Sequence, residues 1–520
     1  MKRHTIFSYC LLFSMFACFN LQALAQPSTE KTVADPEELN NLRKEIEKNP
    51  SDLDLHDKYL KATEFAKWGV EEDPTFIKQY EDWIVKFPTT AAIPYALGHA
   101  YASKESPKAK PYLLQAVAID PQFHKAYFDL WIDGERWGDF KVSREYLNKA
   151  KEAAPDNADY AFYYAFGFDH TDFELYRKLS LKVAKDFPAS ERGTQALYWL
   201  ANKTQDVAIK VVYYEQQKKD FPADKFNWTS SGMSSYFDVL LQKSADEASQ
   251  LATYMSRLPL QERSLKTWNA NIQLANNIME AQSLLKKEKA YDAVKLLDKV
   301  TVPRWGSSKE FIILLKSTAQ DAAGNTKMAY ENLLTVFAKE PTKEVNKQLL
   351  AYGNKLGKTP KAVEKDVWFT RDTTSRQAPV FNLETYLTKG KSSLDDYRGK
   401  VVLLTYWFPG CGPCRGEFPH FENVVKNFKG KDFVYLGINI TAEQDDYVVP
   451  FMKSSGYSFI PLKDNKDWQK GPLDNRNAAP VNFLIDENGK IIFSNFRTDA
   501  SNEATLDMMI SYMLERTKPA

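Results

Sequence analysis

The sequence predicts a long helical repeat array followed by an α/β domain of about 140 residues. Three observations carry that reading. A proline recurs at nearly constant spacing through the first half, and short β-type runs alternate with helical stretches only after residue 378. Two cysteines, Cys411 and Cys414, then stand three residues apart where one such run meets a helical pattern. At 520 residues, 43% hydrophobic and with a mean hydropathy of −0.48, the chain has the composition of a folded, soluble protein. Basic and acidic residues number 69 and 68, for a formal charge of +1. Polybasic blocks are absent, so nothing in the charge favours nucleic acid or an anionic membrane surface.

Residues 1–25 have the layout of a secretory signal: Lys2-Arg3-His4, an apolar run from Thr5 to Phe19, then Ala23-Leu24-Ala25 before Gln26. The run falls short of the ~20 apolar residues a membrane span needs, which disfavours an uncleaved anchor. Lipidation at Cys18 is a further alternative, but Met15-Phe16-Ala17 fits a lipoprotein box poorly. The reading is an exported, periplasmic protein, with membrane association left open. Cleavage would remove Cys10 and Cys18 and leave Cys411 and Cys414 alone.

Residues 37–356 are read as the helical array. Pro88, Pro121, Pro155, Pro188 and Pro222 follow one another at intervals of 33, 34, 33 and 34 residues. That is the tetratricopeptide period, two antiparallel helices per unit with proline in the turn after the second. Leu97, Gly98 and Tyr101 fall where such a unit carries its L-G-x-x-Y signature. Outside this window the period loosens while helical patterning persists, giving a tetratricopeptide-like α-helical solenoid. Residues 127–176 are dense in aromatics, among them Trp131, Trp137, Phe140, Tyr160 and Phe162. Packing between repeats is favoured as their role over a peptide-binding face. Residues 357–377 lose periodicity, gain Pro, Thr and Ser, and are read as a linker.

From residue 378 to 520 the pattern is α/β. Strands are expected at 401–408, 432–440, 481–486 and 490–496, the last two forming a hairpin about Glu487-Asn488-Gly489. Helices are expected at 417–428, 445–455 and 502–516.

The two thiols admit three roles. A staple closing so short a loop constrains the unfolded chain little. A structural zinc needs four ligands, and neither a second CxxC nor a paired histidine is present, so no metal and no cofactor is expected. A redox couple remains. Cys411 follows a buried strand and a Pro409-Gly410 turn and begins a helix, where unpaired amides and the helix dipole stabilise a thiolate. Cys411 is therefore read as the nucleophile, and Cys414, one turn on, as the resolving thiol.

The region 378–520 resembles the thioredoxin superfamily, closest to its TlpA/ResA-like exported thiol–disulfide oxidoreductases. The resemblance rests on Ala378–Leu383 (APVFNL), LDDYRGKVVLL over 394–404, CGPCRGEFP over 411–419, and AAPVNFLIDENGKIIF over 478–493. It implies that Pro480 is the cis-proline facing the cysteines, with Ala479-Pro480 offering backbone to a substrate strand. It implies Glu417 as a proton acceptor for Cys414, Trp407 as an aromatic beside the substrate, and Glu443, less firmly, as a second acidic group. It further implies a disulfide-containing protein substrate and a membrane electron donor. Two departures stand out: Gly410 replaces a tryptophan common before the first cysteine, suggesting a more open rim, and Thr405 replaces the buried aspartate of cytoplasmic thioredoxins. The expected function is reduction of substrate disulfides, with the repeats recruiting or positioning a protein partner. The rival is a binding scaffold whose C-terminal domain is a docking module. A thiol peroxidase ranks last, because the pattern P-x-x-x-T-x-x-C is absent around Cys411.

Overall fold

A computed structural model describes residues 35–516 except 68–69, 71, 304–305, 307 and 466–472. The expected signal at 1–25 lies outside the described residues, as do Cys10 and Cys18.

The proline rhythm has a direct structural counterpart. Helices Ala92–Ser103, His124–Arg136, Ala158–Phe166, Glu191–Lys203 and Asn227–Lys243 each begin just after one of the five prolines. Each is followed by a partner helix: Ala109–Ile119, Phe140–Ala153, Phe173–Asp186, Val207–Asp220 and Ala245–Ser256. Short polar residues start many of these helices. Asp139, Asn157, Asp172, Ser190 and Asp206 each accept a first-turn amide, a cap worth about 1 kcal/mol. Leading helices also pack along the array, and aromatic rings fill the seams. Phe128 meets Tyr160, and Trp131 meets Tyr163, each at 5.0 Å between centroids. Most of the aromatic density of residues 127–176 is thus packing between helix pairs.

The stretch expected to be a linker, 357–377, is largely helical. Thr359 caps a helix at Pro360–Asp372, with the proline in its first turn, where a missing amide costs nothing. Val363 and Val367, one turn apart, bury against a cluster with Tyr330, Leu349 and Tyr352. Two valines among charged residues are too sparse a stripe to outweigh the Pro and Thr content in the sequence. The true connection is residues 373–375.

The C-terminal domain is built on an eight-stranded sheet. Its strands are β1 (Arg376–Gln377), β2 (Asn382–Thr385), β3 (Lys391–Ser393), β4 (Val401–Trp407), β5 (Phe433–Asn439), β6 (Ile460–Lys463), β7 (Val481–Ile485) and β8 (Lys490–Ser494). They lie in the order β1-β8-β7-β4-β5-β6-β2-β3. The central strands β4, β5 and β6 are parallel, and β7 and β8 return antiparallel as the expected hairpin. All seven residues of β4 are buried: helices Gly412–Val425 and Glu503–Arg516 cover Val401, Leu403 and Trp407 on one face, and Phe381, Leu383, Leu394 and Leu473 cover Val402, Leu404 and Tyr406 on the other. That explains an apolar run without alternation.

Among the described residues, ring contacts and hydrogen bonds hold the domain to the array at two places far apart in sequence. On one side, turns and helix ends of successive pairs form an edge against helix Asp445–Ser455 and the helix bearing the cysteines. The Tyr447 hydroxyl donates to Asp133 at 2.7 Å, and Trp137 lies edge-on to the Tyr447 ring. Phe140 meets Phe451 and Tyr457, and His170 meets His420 at 4.9 Å between rings. Gly138 is required here twice over. Its φ is +70°, and a Cβ would lie 2.8 Å from the Phe451 carbonyl oxygen. On the other side, Phe337 packs on Tyr512, and Arg516 forms a two-pronged pair with Asp372.

Candidate active site

Strand β4 ends at Trp407, and the chain turns through Phe408-Pro409-Gly410 into helix Gly412–Val425. Cys411 caps that helix, its Sγ accepting the Cys414 amide at 3.2 Å. The two residues are joined as a disulfide with Cα atoms 5.3 Å apart. In the reduced state the same amide and helix terminus favour a thiolate on Cys411. Cys411 is only 2% exposed and Cys414 is fully buried, so the pair sits just below the surface.

Glu417 lies one helical turn beyond Cys414, on the same face. It is no solvated helix residue: it is 5% exposed. It accepts the Thr498 amide at 2.9 Å, Asn482 Nδ2 at 3.1 Å and Arg497 Nη1 at 3.2 Å. Burial pushes its carboxyl above the ordinary range, opposed chiefly by the Arg497 charge and the Asn482 and Thr498 hydrogen bonds. A carboxyl held in that balance can take up a proton from a neighbouring thiol.

The Ala479–Pro480 peptide is cis. Val481 pairs with Tyr406 in the sheet register, so Pro480 lies beside the C-terminal end of β4, next to the turn that carries Cys411. Ala479 is half-buried and Pro480 buried. Trp407 departs from expectation. It is 0% exposed, wedged among Phe418, Phe451 and Phe459. A side chain closed in on all sides cannot touch a substrate, so Trp407 is the floor of the site rather than part of its rim. Thr405 is buried within β4.

The glycine before Cys411 does not open the rim. Its amide donates to Gln444 Oε1 at 2.6 Å, and a Cβ there would meet Gln444 Nε2 at 2.9 Å. The space is filled by Gln444, which is itself fully buried. The loop after β5 therefore contributes Gln444, while Glu443 is exposed. Arg415 completes the turn by donating to the Pro409 carbonyl at 3.0 Å.

Gln444, Arg415, Asn482 and Arg497 were missed in the sequence. Asn482 left a trace as a polar residue inside the apolar run VNFLI; the others look like ordinary surface residues. All the expected site residues except Glu443 come together around the turn at 408–411 and the helix that follows, Trp407 as buried floor beneath the cysteines.

A cysteine pair capping a helix after the central strand, with a cis-proline beside it, defines a thioredoxin-like redox domain. Sequence comparison with known proteins agrees. A profile described as "AhpC/TSA family" matches residues 374–494. The chain is 37% identical over 116 residues to the thiol-disulfide oxidoreductase ResA of Bacillus subtilis, covering 22% of this chain and 63% of ResA. It is 35% identical over 118 residues to the thioredoxin-like protein YneN of the same organism, covering 22% of this chain and 67% of YneN. A crystal structure of a putative thiol:disulfide interchange protein DsbE from Chlorobium tepidum is 30% identical, with a TM-score of 0.24, over 27% of this chain and 96% of that one. Through its C-terminal domain the chain belongs to the AhpC/TSA thioredoxin-like family and is homologous to the ResA-type thiol–disulfide oxidoreductases.

Proposed function

We propose that the protein is an exported thiol–disulfide oxidoreductase that reduces disulfides of protein substrates through Cys411 and Cys414. The observation that carries this is the cysteine pair itself, capping helix Gly412–Val425 with the buried Glu417 one turn behind it. In the reduced protein the Cys411 thiolate attacks one sulfur of a substrate disulfide. That bond breaks, a mixed disulfide forms, and the departing sulfur takes a proton from water. Cys414 then gives its proton to Glu417 and attacks the Cys411 sulfur. The second substrate thiol is released and the Cys411–Cys414 disulfide closes. Two electrons pass to the substrate, and a membrane electron donor must return them. Gly-Pro between the cysteines, as in reducing thioredoxins, supports the direction. Export rests on the N-terminal sequence; among the described residues no helix is long and apolar enough to cross a membrane.

The helical array is proposed to be a tetratricopeptide-like solenoid that recruits or positions a protein partner. Its 33- and 34-residue rhythm and paired helices support this reading. The test is a Cys414→Ser variant of the full chain, which should hold substrates on Cys411 as mixed disulfides. Failure to trap any protein, with Cys411 still open to alkylation, would sink the proposal. A measured potential near that of strong oxidants would reverse its direction.

A further inference from the structure

The turn before the nucleophile is held from outside its own domain. The Gly410 amide donates to Gln444, and Gln444 Nε2 in turn donates to Glu105, in the turn after helix Ala92–Ser103. Glu105 is fixed on its other oxygen by Arg136 Nη2 at 3.1 Å. A second tether runs beside the first. Arg415 donates to the Pro409 carbonyl, and its other terminal nitrogen lies 3.5 Å from Glu135. Glu135 is anchored by the Ser143 hydroxyl at 2.5 Å. Both tethers end on the same dipeptide, Pro409-Gly410, one on its carbonyl and one on its amide.

We propose that Glu105 and Glu135 are positioning residues of the redox site, gripping the Pro409–Gly410 turn through Gln444 and Arg415 and so setting the reactivity of Cys411. The inference rests on the thiol–disulfide reading of the site. Two physical effects act together. The grip fixes the peptide groups that lead into the helix terminus facing the sulfur. The two carboxylates also add negative potential near a group that reacts as an anion. The charged and titratable groups around Cys411 are Arg415 and Glu417 on its own helix, Arg497 on Glu417, and Glu105, Glu135 and Arg136 from the array. Tyr457 lies beyond Arg415. The Arg415 side chain is largely buried, 9% exposed, with Glu135 the foremost charge offsetting the cost. Neutralising Glu135 therefore leaves a less compensated cation close to the thiol. The local potential becomes more positive, the thiolate is favoured, and the Cys411 thiol ionises at lower pH. The reduced form gains stability, so the pair becomes more oxidising.

The test uses the reduced full chain and the pH profile of Cys411 alkylation by iodoacetamide. Glu105→Gln and Glu135→Gln keep shape and most hydrogen bonds while removing charge. Each should move the profile to lower pH, raising the rate below the midpoint about threefold. Gln444→Leu, which cuts the first tether, should speed hydrogen exchange at the Gly410 amide. Phe140→Ala loosens an apolar contact of the same interface and should leave the profile in place. The inference is overturned if both Gln variants keep the wild-type midpoint, or if Phe140→Ala shifts it equally. Thiol exchange of the wild-type pair with dithiothreitol is measured alongside. If that pair does not exchange at all, the oxidoreductase reading fails, while the alkylation profile still reports on the grip.

Discussion

Replacing Tyr447 with Phe deletes one hydroxyl from the contact between the C-terminal domain and the helical array. That hydroxyl donates to Asp133 Oδ1 at 2.7 Å, and both residues are buried, Tyr447 at 0% and Asp133 at 2% exposure. Phe keeps the ring and its edge-on contact with Trp137, so little apolar burial is lost. Asp133 retains Trp137 Nε1 as a donor at 2.8 Å but loses a bond to a desolvated carboxyl. Burial already raises that carboxyl, and the Tyr447 bond is the foremost effect opposing the rise. A hydrogen bond to a charged group contributes about 1.5–3 kcal/mol, which is roughly a ten- to hundredfold change in the docking equilibrium. A chain of several units need not unfold in one step, so hydrogen exchange in helix Asp445–Ser455 is the better assay. Tyr447→Phe should raise exchange there by that factor. Combined with Asp133→Asn, it should show a coupling energy of about 1 kcal/mol or more. Wild-type exchange in Tyr447→Phe, or strict additivity in the cycle, would refute the contact.

Three other outcomes are expected. Glu417→Gln should lengthen the life of the mixed disulfide roughly 10²-fold near neutral pH, read by quenched-flow, since it removes the proton acceptor for Cys414. The raised Glu417 carboxyl should also favour the wild type fully below pH 4.5; that contribution fades as pH rises through the folded value, so urea unfolding should show Glu417→Gln gaining on the wild type at higher pH. His170, pushed down from 6.5 to about 4 by burial, has the opposite dependence, with stability complete above 6.5 and lost as pH falls towards about 4. Its side chain keeps 24% of its surface in water, so the loss relative to His170→Gln should be roughly 1 kcal/mol after solvent screening. Gly410→Ala, whose new Cβ meets Gln444, should lower stability by about 1–3 kcal/mol in thermal unfolding.

The parts legible in the sequence are those whose physics is local. Strand β4 announces itself as seven apolar or small residues because both of its faces are covered, and the β7–β8 hairpin does so through its Asn-Gly turn. The cysteine pair was readable because its spacing is itself the chemistry. The short strands β1, β2, β3 and β6 span two to four residues each, too few for alternation to register, and β6 carries Pro461. The helix at Pro360–Asp372 was hidden by its own capping residues. The grip on Pro409–Gly410 was invisible for another reason: Glu105 and Gln444 are 339 residues apart, and each alone resembles a solvated polar side chain. Trp137 and Phe140 belong to an aromatic-rich stretch, yet nothing local shows that they face a different domain from their neighbours.

The two places where the domain meets the array have a consequence for how this chain can change length. One attachment lies between Glu105 and His170, the other between Phe337 and Asp372. Everything between them must span a gap set by the width of a single folded domain. A helix pair inserted or deleted there would carry Asp372 away from Arg516 while Asp133 still held Tyr447. Repeat proteins ordinarily tolerate such edits because each unit sees only its neighbours. Here the closure turns an open-ended series into a loop of fixed circumference, in which the number of units is part of the fold.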